Sequence, residues 1–144
     1  MEIKAFAGKR VYVDTNIVVY FLEKHPDWFA EVLPLFEMAA RGEVALVTSE
    51  FTVAELLVRP FSLGRSDIVV GYKRFLKEEG IIDLVPLSLD VLEAAAASRA
   101  SLGGTLADAM HVATASIAGC SMFVSNDQEI RVPLPMQKVS LGSE

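Results

Sequence analysis

A chain of 144 residues with 52% hydrophobic side chains can bury about 68–70% of its surface on folding, yet no apolar run approaches the ~18 residues that cross a bilayer. Thirteen basic against nineteen acidic residues leave a net charge of −6, which argues against a protein that coats nucleic acid non-specifically but not against an enzyme that gathers acids around metal ions. One cysteine, Cys120, rules out an internal disulfide and suits a reducing cytoplasm, and the opening residues lead into fold-like sequence with no leader pattern expected.

The β-branched and aromatic run Val11-Tyr12-Val13 reads as a buried strand that ends at Asp14-Thr15-Asn16. A short helix over 17–23 follows, and a longer one over 28–41 is expected with Asp27 as its cap, a kink at Pro34 and a stop at Gly42. Trp28, Val32, Leu35 and Phe36 keep helical spacing and read as core. Residues 43–47 predict a second strand, and Thr48-Ser49 opens a helix that runs to Arg59 and is closed by Pro60. After a loop over 62–66, a helix starts at Asp67 and ends near Gly80. Residues 81–86 hold a third strand, and Ser88 caps a helix over 89–102. Gly103-Gly104 separates it from an alanine-rich helix capped by Thr105 and stopped by Gly119. Strands over 121–125 and 136–140 complete the pattern, and the terminal residues 142–144 are expected to fray. Strands alternating with helices favour a mainly parallel sheet of four to five strands, covered on both faces as a three-layer α/β/α sandwich formed by residues 1–144 as a single domain. Ligands of such sheets bind beyond the carboxyl ends of the strands, near the switch in strand order.

Four acids stand at strand–helix junctions: Asp14 after the first strand, Glu55 in Thr52-Val53-Ala54-Glu55, Asp108 three residues after Thr105, and Asp127 in Ser125-Asn126-Asp127. Each alone has an ordinary role as a helix cap or a turn residue. Gathered in one pocket they would repel one another unless cations neutralised them, and hard cations with oxygen ligands, Mg²⁺ or Mn²⁺, suit such a set. One cysteine and two histidines cannot close a tetrahedral zinc site, Gly103-Gly104 lacks the later Lys-Ser/Thr of a phosphate loop, and there is no G-x-S-x-G elbow. His111 lies three residues after Asp108 and reads first as a packed helix histidine, second as a donor behind the acids. His25 reads as a surface-turn residue and Cys120 as a small core residue, while Lys73, Lys77, Arg74 and Arg65 read as a solvated face.

In order along the chain, VYVDTN, TVAELLVRP, LADAMHVATA and FVSND resemble the motifs of the PIN-domain nucleases, most closely the VapC-type toxins of toxin–antitoxin pairs. The resemblance implies a PIN-like α/β/α fold and a Mg²⁺- or Mn²⁺-dependent endoribonuclease site whose acids, by motif position, are Asp14, Glu55, Asp108 and Asp127. Within it, Asp14 and Asp108 would touch the metal, Glu55 and Asp127 would complete the set, and Asn16 and Ser125 would hold carboxylates or the scissile phosphate. Arg59, at the end of the Glu55 helix, is better placed than the other basic residues to meet the RNA backbone. Two departures are mild: Ser125 stands where the family more often has Thr, and Ile130 where an aromatic often follows. A housekeeping PIN nuclease, a non-catalytic PIN-like scaffold that binds RNA or protein, and a phosphoacceptor domain are the rival readings; the last would want adjacent acids after the first strand and a lysine after the last. The apolar excess, with a mean hydropathy of +0.39, suggests exposed apolar area on the helices over 28–41 and 50–59. A homodimer and a bound antitoxin segment are expected there.

Overall fold

The computed structural model describes residues 1–142. Five strands, β1 (Arg10–Val13), β2 (Ala45–Ser49), β3 (Ile82–Val85), β4 (Met122–Val124) and β5 (Gln137–Val139), form one sheet in the order β3-β2-β1-β4-β5. Every pairing is parallel. Six helices connect them: α1 (Thr15–Leu22), α2 (Phe29–Ala40), α3 (Phe51–Ser62), α4 (Ser66–Lys77), α5 (Leu89–Leu102) and α6 (Leu106–Ile117). A short 3₁₀ turn, Ile3–Phe6, precedes β1 and buries Phe6. This is the parallel PIN-like α/β architecture that the sequence predicts.

Alternation along each strand sorts the core into two faces. Val11, Val13, Leu46, Met122 and Val124 pack with residues of α1 to α4, including Ile17, Leu35, Phe36, Leu56 and Phe75. Phe21 stacks on Phe36 with ring centroids 4.1 Å apart, and Phe75 leans on both. On the other face Tyr12, Val47 and Phe123 meet Val112 and Ala115 of α6. α5 covers α6 in turn through Val91, Ala95, Ala109 and Ala113. Strand order reverses between β1 and β4, so the crevice beyond Val13 and Val124, paired in register, is where such a sheet offers a site.

Several boundaries differ from expectation for local reasons. Thr48 and Ser49 extend β2 by pairing with Leu84 and Val85 rather than opening α3, since a β-branched Thr suits a strand as well as a cap. α2 begins after Trp28 without a side-chain cap, and the Asp27 N–H donates to Nδ1 of His25 at 3.1 Å. Pro60 does not close α3; it is buried in the last turn, where Leu63 N–H still reaches the Arg59 carbonyl at 3.0 Å. Gly142 is tied rather than frayed, its N–H donating to Glu31 at 2.9 Å; the other residues of that expectation, Ser143 and Glu144, lie outside the described residues. Among the described residues no helix is long and apolar enough to cross a membrane.

Candidate functional site

The carboxyl ends of β1 and β4, the start of α1, the second turn of α3 and the first turn of α6 meet around one cavity of about 340 Å³. Asp14, Glu55, Asp108 and Asp127 all line it, with Thr15, Asn16, Arg59 and His111. The ordinary roles persist beside this placement. Asp14 caps α1, its Oδ1 accepting from Ile17 N–H at 3.2 Å. Thr105 caps α6 by accepting from Asp108 N–H at 3.1 Å. Asp127 sits in a turn: its N–H donates to Ser125 Oγ at 3.0 Å and its Oδ1 accepts from Glu129 N–H at 2.9 Å. Glu55 is not a capping-box partner, because α3 starts at Phe51 and the Thr52 hydroxyl is buried against Thr48 Oγ1 at 2.8 Å.

Two of the acids are tightly held. Asp14 is only 5% exposed. Burial pushes its carboxyl up, hydrogen bonds from Ser125 and Ile17 oppose this, and the neighbouring Asp127 adds to it. Glu55 goes the other way. Burial would raise it, but hydrogen bonds from His111 and Thr15 hold it below the ordinary carboxyl value. Its Oε1 accepts from Thr15 Oγ1 at 2.6 Å and shares a 2.7 Å hydrogen bond with His111 Nε2. Among the described residues, none of the four acids pairs with a lysine or arginine.

As they stand, no three His, Cys, Asp or Glu side chains among the described residues are grouped closely enough to grip an ion. The donor set nevertheless suits one. Four carboxylates without a lysine or arginine partner among the described residues face a shared cavity, and one of them is buried beside another, which raises its cost of ionising. Mutual repulsion spreads such a set, and an oxygen-seeking cation would draw it together.

Of the supporting residues, Ser125 is fully buried and hydrogen-bonds the Asp14 carboxylate. Asn16 and Arg59 line the mouth, both exposed. The basic residues of α4 stay out of the site: Arg65 bonds Asp67 and Arg74 approaches Glu78. Cys120 is a buried core residue whose thiol burial pushes up to about 11. Lys138 of β5 donates from Nζ to the Asp127 and Ile130 carbonyls at 2.5 and 2.8 Å, so it pins the loop that carries Asp127 instead of meeting a carboxylate. That lysine does not serve the acids, and no second acid adjoins Asp14, so neither mark of the phosphoacceptor rival is met.

His111 combines its two expected roles, a packed helix residue and a donor behind the acids. It is buried in α6, but it is more than filling: Nδ1 lies 2.5 Å from the Tyr12 hydroxyl and Nε2 bonds Glu55. The available signal was strand alternation, since Tyr12 two residues before Asp14 projects to the same side of the sheet.

A family profile described as PIN domain matches residues 11–133. No curated protein matches the chain significantly in sequence. Among solved structures, a chain of the toxin–antitoxin complex from Klebsiella pneumoniae superposes with a TM-score of 0.62 at 18% identity, over 90% of this chain and 95% of that one. VapBC2 from Rickettsia felis, bound to a DNA fragment from its promoter, gives 0.67 at 20% identity over 91% and 98%. FitAcB from Neisseria gonorrhoeae gives 0.63 at 21% identity over 83% and 88%. At such identities the likeness is one of fold.

Proposed function

This chain belongs to the PIN-domain family, and from that premise we propose that it is a Mg²⁺- or Mn²⁺-dependent endoribonuclease acting as the toxin of a toxin–antitoxin pair. The observation that carries this reading is the meeting of Asp14, Glu55, Asp108 and Asp127 on one cavity at the switch in strand order. Family membership supports nuclease chemistry. The likeness to toxin–antitoxin structures supports the toxin role over a housekeeping nuclease, and the full set of acids speaks against a non-catalytic scaffold.

Asp14 and Asp108 would hold the cation, with Asp127 and Glu55 completing its surroundings. When bound, such a cation supplies charge neutralisation at the scissile phosphate and acidifies the attacking water. Glu55, kept ionised by its two donors, is suited to orient that water. Ser125 keeps Asp14 aimed at the cavity, while the Asn16 amide and the Arg59 guanidinium offer donors to the RNA backbone at its mouth.

An antitoxin segment and a second copy of the chain are the proposed protein partners. α2 keeps its large side chains inside, contrary to expectation, but Val58, Phe61 and Leu63 near the end of α3 and Val70 of α4 are more than half exposed. Leu63 lines an apolar groove with Leu22, Pro60, Ile68 and Tyr72 that shares Glu23 and Arg59 with the carboxylate cavity. A segment seated there would reach the acids directly.

The test is cleavage of structured RNAs by the chain purified free of partners, with Mg²⁺, Mn²⁺ or EDTA. Cleavage that needs the cation is expected. A folded chain that cleaves nothing with either metal would contradict the reading.

A further inference from the structure

Tyr12 has no part in holding a cation or a phosphate, yet its hydroxyl is fully engaged inside the protein. The ring is completely buried in β1, stacked on Phe123 with centroids 4.9 Å apart. Burial keeps the phenol neutral. Its oxygen accepts from Ser49 N–H at 3.2 Å and faces His111 Nδ1 at 2.5 Å. The Glu55 carboxylate can only accept, so Nε2 carries a proton and donates to Oε1 at 2.7 Å. In the neutral imidazole that leaves Nδ1 as the acceptor of the phenolic proton. Phe51 and Tyr12 both meet the His111 ring edge-on and fix its plane.

This chain of bonds ties the two sides of the sheet together. Tyr12 belongs to the face covered by α6, and Glu55 extends from α3 on the opposite side. Thr15 Oγ1 donates to the same Oε1. Both bonds therefore fall on one oxygen, and Oε2 keeps its lone pairs for a ligand in the cavity. A residue serving only to fill space at this point of α6 would need no polar atom, whereas both ring nitrogens here are bonded.

We infer that His111 is a positioning residue: clamped by Tyr12, it aims the Glu55 carboxylate into the cavity and so sets the affinity of the site for a divalent cation. The inference rests on the nuclease reading above and concerns a residue outside the four-acid set. Support of this kind behind a metal ligand is worth about 10–100-fold in affinity.

The test is a double-mutant cycle read as Mn²⁺ affinity, by electron paramagnetic resonance on the RNA-free chain, with thermal midpoints recorded for every variant. His111→Leu is expected to weaken Mn²⁺ binding about 10–100-fold in the wild-type background. In a Glu55→Ala background it should change affinity by no more than about twofold, because nothing is left to position. His111→Gln, which restores an N–H donor, should recover most of the loss. Tyr12→Phe keeps the stacked ring and removes the clamp together with the acceptor of Ser49 N–H; it should behave as a weaker His111→Leu, and it carries the test if the leucine variant does not fold. Equal losses in both backgrounds, or no loss in either, overturn the inference while leaving the nuclease reading intact. A wild-type chain that binds no Mn²⁺ ends the nuclease reading and this inference with it.

Discussion

The two faces of the sheet are built from different materials. On the side of α1 to α4 the strands meet a thick layer of large side chains, with Phe21, Phe36 and Phe75 in mutual contact and Leu35 and Ile17 fully buried. On the side of α6 the helix meets the strands through Val112 and the small Ala115, with Ala109 and Ala113 turned to α5, and the largest strand residue, Tyr12, carries a hydroxyl. Small side chains let a helix pack closer, and here they leave His111 within bonding distance of Tyr12 and Asp108 at the cavity. The first face supplies stability through burial, at about 1.5–3 kcal/mol for each large side chain. The second gives up part of that in exchange for oriented polar groups, and the acids sit on the edge where the two meet.

If this division holds, substitutions on the two sides should fail in different ways. The largest effect is expected from Asp108→Asn in the first turn of α6. It keeps the shape and the cap bond from Thr105 but removes charge from the cavity, so RNA cleavage should fall by ~10³-fold or more, about 4 kcal/mol in the barrier. The thermal midpoint should stay close to that of wild type; a variant retaining near-full cation-dependent cleavage would break the assignment. Next in size is Phe36→Ala, far from the acids within the aromatic cluster. It should cost about 3–5 kcal/mol in a denaturant titration, while any folded fraction cleaves RNA at the normal rate. Loss of activity per folded molecule would blur the division.

A smaller effect, of opposite sign, is expected from Asp14→Asn in the metal-free chain. Burial raises the carboxyl of Asp14 above its ordinary 3.8, so its contribution to stability is complete below that value and is lost as pH rises through the higher folded value. Asparagine has no such loss. The variant and wild type should therefore melt most nearly alike at low pH, and the variant should become the more stable of the two as pH rises toward neutrality. Midpoints measured across that range in EDTA check the sign. A variant less stable than wild type at neutral pH would mean that the cap bond to Ile17 outweighs the buried charge.

Much of this was legible because its signals are local. Ser88 and Thr105 cap the helices they precede in sequence, and Asp14 follows directly on a hydrophobic strand. The parallel order follows from alternation of strands and helices, and that order carries scattered acids to one edge. What escaped reading depended on distance or on double meaning. His111 and Tyr12 are 99 residues apart, so no local spacing joins them. Lys138 reaches back 11 residues to carbonyls that carry no sequence mark. Thr48 and Ser49 suit a cap and a strand equally, and pairing with β3 decided between them. Pro60 looked like a stop, but α3 runs on to Ser62 with the ring buried, although proline removes one helical hydrogen bond there.

The claim that one cavity gathers a cation on four carboxylates is tested most directly by paramagnetic broadening of backbone amide signals as Mn²⁺ is added to the wild-type chain. Amides beside Asp14, Glu55, Asp108 and Asp127 should broaden first and together, while those beside the exposed Asp67 and Asp83 stay sharp until Mn²⁺ is in large excess. Broadening that begins at those surface acids, or that reaches Asp14 without Asp108, would contradict the account.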